Sequence, residues 1–271
     1  MGVEGALVRT ESLQPAALPT SGIDMVVRRG ESVGIWGAAG SGKTALLRAL
    51  AGLERPAGGR LFWNERDITR WRPQRRRQQG AAAGLVLADP YRLFEGDLSI
   101  GKLLDAYRLD RQRFKALSQS SELLSALSDQ RIGSLSGTWR ARLAILCAVV
   151  NEPSVVLIDD VWRMLAPESW DALWAEFGAW TSQARSLIAA SRWWQALRDV
   201  DTLIVLRDGE IVEWGAREAV LSDPRHPYTQ ALRDTAPGSS QQPQEAAQPR
   251  SAGSKAVQLS PGHWVVISGP S

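Results

Sequence analysis

Eight consecutive residues carry the sharpest chemical signal in the chain: Gly37-Ala38-Ala39-Gly40-Ser41-Gly42-Lys43-Thr44. They satisfy the pattern G-x-x-x-x-G-K-[ST] at every fixed position. Glycines at those places let successive backbone N–H groups turn inward into a concave nest for phosphate oxygens, and a following helix adds its positive end. In such a loop Lys43 reaches the β- and γ-phosphates of a nucleotide, and the Thr44 hydroxyl ligates Mg²⁺. A second signal is Val155-Val156-Leu157-Ile158-Asp159-Asp160. An apolar strand ending in an acid is what the other half of a phosphate-loop site needs, because its terminal carboxylate holds Mg²⁺ through water. Many buried strands end in Asp, so this run alone is weak. Far downstream of a phosphate loop it points to Asp159. ATP and Mg²⁺ are therefore the expected ligands, with Thr44 and Asp159 on the metal.

The elements that must position these residues are legible around them. Asp24 to Val27 reads as a short strand, and Arg29-Gly30-Glu31 as a turn. Ser32 to Trp36 is an apolar run entering the glycines, and Ala45 to Leu50 is rich in strong helix formers. Strand, glycine-rich loop, helix is the context the loop requires. Leu61 to Asn64, Ala82 to Leu87, Val155 to Ile158, Leu187 to Ala190 and Thr202 to Leu206 read as further strands. Ile100 to Val150 is mostly helical, and Ser169 to Trp180 reads as a helix. Asp208-Gly209 turns into a hairpin strand over Glu210 to Trp214. Strands alternating with helices imply a largely parallel sheet with flanking helices. From Thr235 to Lys255 the composition shifts to Pro, Gln, Ser, Gly and Ala, which reads as a flexible linker before a short apolar piece, His263 to Ile267.

Composition narrows the function classes. At 271 residues with 44% apolar side chains, the chain can bury a sizeable core. A net charge of +3 demands no nucleic-acid partner. The single cysteine, Cys147, excludes a disulfide framework and fits a core position. No apolar stretch approaches the roughly 18–20 residues of a membrane span. Met1 to Leu7 lack the basic flank and apolar block of a signal peptide, so a cytoplasmic chain is expected. The basic run Arg66, Arg70, Arg72, Arg75, Arg76 and Arg77 reads as a solvated surface in a loop-rich stretch. Neither His226 nor His263 lies on the strands that would carry catalysis, and no metal role is expected of them. The twelve tryptophans suggest core packing and contact surface, with Trp162 as a packing residue.

Leu135-Ser136-Gly137-Thr138-Trp139-Arg140-Ala141-Arg142 resembles the LSGGQ signature of the ABC ATPases. It stands just before a helix and shortly ahead of the Asp159 strand, the family's order. "LRDGEIVEWG", Leu206 to Gly215, looks like the family's hairpin after the last core strand. His226-Pro227-Tyr228-Thr229-Gln230-Ala231-Leu232 is similar to a segment typical of oligopeptide, dipeptide and nickel importer ATPases. The resemblance covers roughly residues 3 to 234. It implies a P-loop NTPase core of α/β class with an inserted helical subdomain, about 89–150, and a small antiparallel β-subdomain. The domain would span 1–234, followed by a linker over 235–256 and a tail over 257–271. It also implies a second ABC ATPase subunit, transmembrane permease subunits, indirectly an extracytoplasmic solute-binding protein, and a place on the inner face of the membrane.

Departures from the family pattern cluster on the hydrolytic machinery. The glutamate that follows the strand-end aspartate is Asp160 here, which withdraws the carboxylate by roughly 1.5 Å where a misplacement of about 1 Å can cost about a hundredfold. The family's switch histidine aligns with Ser191, its Mg²⁺-sensing glutamine with Ala88, and its cross-dimer aspartate with Ala166. Thr138 and Trp139 replace the usual Gly and Gln, and no aromatic stands near Ser12 to Pro19 to stack on adenine. The expected result is a heterodimer in which this chain's own site binds ATP but hydrolyses it poorly. Ser136 and Gly137 would serve the opposite site in trans. Two rivals follow from the same residues: a pseudo-ATPase scaffold, and an ABC protein of a metabolic assembly such as the phosphonate-cleaving complex.

Overall fold

The computed structural model describes residues 5–81, 83–87, 98–118, 131–180, 185–235, 255–260 and 262–267. Five parallel strands form its centre: β3 (Ser32–Trp36), β6 (Ala83–Val86), β7 (Val155–Asp159), β8 (Ser186–Ser191) and β9 (Thr202–Arg207). Their spatial order is β9-β3-β8-β7-β6. Every residue of β7 and β8 is buried, as parallel strands covered on both faces must be. Beyond β9 the sheet continues antiparallel through β10 (Glu210–Ala216), β12 (His263–Ile267) and β11 (Lys255–Ser260), giving eight strands.

Alternate residues of the central strands feed two cores, the period-two consequence of a pleated backbone. Trp36, Val156, Ile158, Leu187 and Ala189 face a layer containing α5 (Gly137–Val149) and α6 (Trp170–Trp180). Val33, Ile35, Val155, Leu157, Ile188 and Ala190 face the other side. That side is covered by α1 (Lys43–Ala51) and by a four-stranded antiparallel sheet. The smaller sheet runs β2-β1-β4-β5, from Val26–Arg28, Ala6–Gln14, Gly58–Trp63 and Arg66–Asp67. The α/β architecture with a small antiparallel sheet is the one that the sequence resemblance implied. Of the helical insertion, α3 (Ile100–Ala106), α4 (Arg111–Ser118) and α5 are described; Ala88 and residues 119–130 lie outside the described residues. Among the described residues no helix is long and apolar enough to cross a membrane.

The basic run is not uniformly solvated. Pro73–Gln78 forms a helix, α2, with Pro at its first position, and it buries Arg76 to 3% exposure. Arg76 donates from Nη1 to the Leu50 carbonyl at 3.0 Å and from Nη2 to the Ile68 carbonyl at 3.4 Å. A cation at the end of α1 satisfies a carbonyl the helix leaves open and meets the negative end of its dipole. The other arginines of the run are exposed, as expected. Trp162 is 1% exposed and stacks on Trp174 at 5.1 Å, a packing role. Cys147 packs against the same core, and burial pushes its thiol up to about 12, far from nucleophilic. The linker expected over 235–256 has residues 236–254 outside the described ones, while Lys255 already begins β11.

Candidate functional site

Strand register brings the chemistry together. Trp36 of β3 lies opposite Ser191 of β8, and Asp159 of β7 opposite Ala190. The loop after β3, the aspartates ending β7 and the end of β8 therefore meet at one edge of the sheet, the carboxyl edge where open α/β sheets hold ligands. The Gly37 N–H donates to the Ser191 carbonyl at 3.3 Å, and the Asp160 N–H to the Ala190 carbonyl at 3.0 Å. Gly40 and Gly42 hold positive φ of 82° and 104°. At Gly37 a Cβ would lie 2.3 Å from the Leu206 carbonyl oxygen, so no larger residue fits there.

Lys43 and Ser41 are buried within this loop, whereas Ala39, Gly40 and Thr44 are exposed. Lys43 Nζ donates to the Gly37 carbonyl at 2.8 Å, to the Ala38 carbonyl at 2.7 Å and to Ser41 Oγ at 3.1 Å. Burial pulls its ammonium down to about 8; the carboxylates of Asp160 and Asp159 oppose the fall, and Arg192 adds to it. At the start of α1, Thr44 Oγ1 donates to Asp159 Oδ1 at 3.1 Å, with Asp159 1% exposed. The two residues read from sequence as metal ligands thus stand side by side.

Asp160 adopts φ 37°, a left-handed conformation that an Asp tolerates as a single residue, and leads into a turn of 3₁₀ helix over Val161–Met164. Its Oδ2 accepts from Arg192 Nε at 3.4 Å, and Oδ1 has no hydrogen-bond partner among the described residues. Burial pushes the carboxyl above its ordinary value, while Lys43 and Arg192 restrain it. Ser191 is wholly buried and its Oγ accepts from the Trp193 N–H at 3.0 Å, so its hydroxyl is committed to its own turn. Ala166 accepts the Ser169 N–H at 2.8 Å through its carbonyl.

Ser136 and Gly137 lie apart from this group. Ser136 caps α5, its Oγ accepting from the Trp139 N–H at 3.4 Å, and is exposed. The hydrogen bonds it makes stay within its own helical turn.

Three residues of the site escape sequence reasoning. Arg192 follows Ser191 but has no pattern announcing that it will pair with Asp160. Leu18 stands in the stretch that lacks an aromatic to stack on adenine. It packs on Gly42 and Gly209 and, with Ala17, Gly40, Lys43, Thr44, Arg48 and Glu54, lines a cavity of about 310 Å³ beside the loop. Tyr228, known from sequence only as part of a resembling segment, accepts the Ala38 N–H on its hydroxyl at 2.9 Å. A larger apolar cavity of about 420 Å³ opens among Ala83, Leu85, Leu103, Cys147 and Pro153. It lies at the opposite ends of β6 and β7 and is no part of this site.

Comparison with known proteins agrees with this geometry. The family described as ABC transporter matches residues 20–162, just over half of the chain. The dipeptide transport ATP-binding protein DppF of Escherichia coli (strain K12) is 27% identical over 227 residues, covering 80% of this chain and 68% of that protein. The methionine import ATP-binding protein MetN of Mesorhizobium japonicum is 30% identical over 223 residues, covering 78% of this chain and 60% of that one. A nucleotide-free ATP-binding cassette from an ABC transporter shares the fold with a TM-score of 0.66 at 22% identity, over 81% of this chain and 96% of that one. The family match includes both the phosphate loop and the acidic end of β7, and the chain belongs to the ABC transporter family of ATP-binding proteins.

Proposed function

We propose that this chain binds Mg-ATP at Gly37–Thr44 and acts as the degenerate half of a heterodimeric ATPase pair energising an ABC importer of the peptide or nickel class. The observation that carries the reading is the contrast across one sheet edge: the glycine loop with Thr44 bonded to Asp159, beside an Asp160 carboxylate engaged by Arg192. The residues fit the group they would hold. Backbone N–H groups of the loop and Lys43 suit phosphate oxygens, and Leu18 offers an apolar platform at the mouth of the loop. Thr44 and Asp159 supply two hard oxygen ligands. Among the described residues no group of three or more His, Cys, Asp or Glu side chains stands together, so Mg²⁺ would depend on phosphate oxygens to complete its shell.

When bound, Mg-ATP supplies the anhydride whose binding and cleavage drive this family's transport cycle. The chain's own groups are poorly arranged to assist that cleavage. Asp160 is shorter than glutamate, and its Oδ2 is engaged by Arg192, which leaves that oxygen less available to a water. Ser191 has committed its hydroxyl to Trp193. The opposite site of the pair would take Ser136 and Gly137 from the exposed start of α5. Similarity to the dipeptide transport protein and the His226 to Leu232 segment support the importer class, with transmembrane permease subunits and a solute-binding protein as further partners.

The test is Asp160→Glu combined with Ser191→His in the assembled complex. ATP turnover is expected to rise. Unchanged turnover, with the wild-type site already hydrolysing, would sink the degenerate-site reading. A scaffold role has one observation in its favour, since the three hydrogen-bond acceptors of Lys43 Nζ belong to the loop itself. Negligible Mg-ATP binding by both the wild type and Lys43→Ala would select it.

A further inference from the structure

The C-terminal hairpin of β11 and β12 has no place in the reading above, yet it joins the phosphate loop through a continuous set of polar contacts. His263 of β12 is 3% exposed, and its Nε2 meets Glu213 Oε1 at 2.8 Å. Glu213, on β10, is wholly buried. The same carboxylate accepts the Arg225 N–H at 3.0 Å on Oε1 and the His226 N–H at 3.1 Å on Oε2. With two amide donors already on its oxygens Glu213 is the acceptor, so His263 carries the proton on Nε2. A wholly buried carboxylate is held by each of these donors, and loss of His263 leaves Oε1 with the Arg225 N–H alone.

Those two amides fix the chain where it leaves α7 (Arg217–Ser222) and enters α8 (Pro227–Arg233). There His226 Nδ1 accepts the Tyr228 N–H at 3.1 Å. Burial and the charge of Arg207 hold the His226 imidazole below its ordinary value, which keeps that nitrogen available as an acceptor. The Tyr228 ring is 6% exposed and has the Arg207 guanidinium 5.4 Å from its centroid. Its hydroxyl accepts the Ala38 N–H at 2.9 Å. The Ala38 carbonyl is in turn an acceptor for Lys43 Nζ. One phenol therefore fixes the residue that positions the lysine of the loop. Trp264 stacks on Trp214 at 5.7 Å with planes 2° apart, which seats β12 against β10.

We propose that Tyr228 is a positioning residue of the phosphate loop, and that the C-terminal hairpin holds it there through His263, Glu213 and the entry to α8. Affinity for nucleotide at Gly37–Thr44 then depends on the docked hairpin. This rests on the reading that the loop binds nucleotide, and the two can fail separately.

The experiment uses the full chain as wild type, Tyr228→Phe, His263→Ala, His263→Gln and the Tyr228→Phe/His263→Ala double variant. Two quantities are read: the Kd for Mg-ATP, and amide hydrogen exchange across residues 37–44 without nucleotide. Tyr228→Phe keeps the ring and removes the acceptor, and is expected to raise Kd about three- to tenfold and to speed exchange at Ala38. His263→Ala is expected to do the same through the relay. The double variant should be no weaker than the more affected single one, the non-additivity of residues acting in one chain. His263→Gln retains an N–H donor for Glu213 and should restore both readouts towards wild type. If His263→Ala does not fold, Tyr228→Phe and His263→Gln still decide the matter. Wild-type Kd and exchange in Tyr228→Phe would overturn the positioning role. Additive effects, or a His263→Ala change confined to melting temperature, would overturn the relay. No Mg-ATP binding by the wild type would overturn the nucleotide reading instead, and loop exchange would still report on Tyr228.

Discussion

The phosphate loop and the β7–β8 edge beside it share one sheet and both of its cores, and they differ in how their polar groups are committed. In the loop, the glycines adopt the backbone the motif requires and Lys43 and Thr44 stand beside Asp159. At the neighbouring edge, Asp160 is shared with Arg192, and Ser191 bonds its own turn. In the proposed reading, the departures from the family pattern fall on the groups that handle water and spare those that hold phosphate. Binding and turnover are separable properties of such a site, because a cradle needs only donors in fixed places while a general base needs a lone pair placed towards the water.

The strongest way to break this contrast is to remove the lysine. Lys43→Ala is expected to weaken Mg-ATP binding about a hundredfold, the loss of charged hydrogen bonds to phosphate, measured by calorimetry. An unchanged Kd would mean that the cradle is idle. A second effect is set by pH. Lys43 titrates at about 8 before phosphate arrives, and phosphate charge raises that value, so binding takes up a proton wherever the free lysine is deprotonated. Affinity is then expected to be level below pH 8 and to fall above it, by up to about tenfold per pH unit. A rise of affinity with pH would contradict the placement of Lys43.

The smallest effect sharpens the other region. Arg192→Ala removes the salt bridge of Asp160, leaving the nearby charge of Lys43, and is expected to cost about 1 kcal/mol, discounted because Arg192 is partly exposed. Burial already raises the Asp160 pKa, so its charged form is the costly one in the folded chain. The folded state therefore holds its proton to higher pH than the unfolded state. Stability falls as pH rises from the unfolded value, about 3.9, through the raised folded one. Thermal melts should show a larger deficit for Arg192→Ala at pH 7.5 than at pH 5. Equal deficits at both would mean that Arg192 does not restrain the Asp160 charge.

How much of this was legible in the sequence depended on whether a signal was local. The strand–loop–helix unit around Gly37 to Thr44 is contiguous, and its residue types dictate its backbone. The strands of the central sheet are near-continuous apolar runs and read directly. Strand β1 did not: Ser12 at φ 44° and a register shift between Glu11 and Gln14 interrupt its alternation. Arg76 was read with its exposed neighbours because charge composition does not reveal which member of a run will find the end of a helix. Strand β11, Val257 and Leu259 apart, is polar and small, and nothing within Lys255 to Ser260 marks it as the partner of β12. The pairings of Asp160 with Arg192 and of Ala38 with Tyr228 join residues far apart in the chain. No spacing rule encodes them, since they arise from strand order and the path back to α8.

The most direct measurement is the identity of the nucleotide retained by the full-length chain after incubation with radiolabelled Mg-ATP, beside Lys43→Ala and Asp160→Asn. Retention of intact ATP by the wild type and Asp160→Asn, with none kept by Lys43→Ala, is the expected result. Steady conversion to ADP that Asp160→Asn abolishes would contradict the account, because Asp160 would then be a working base at an intact site.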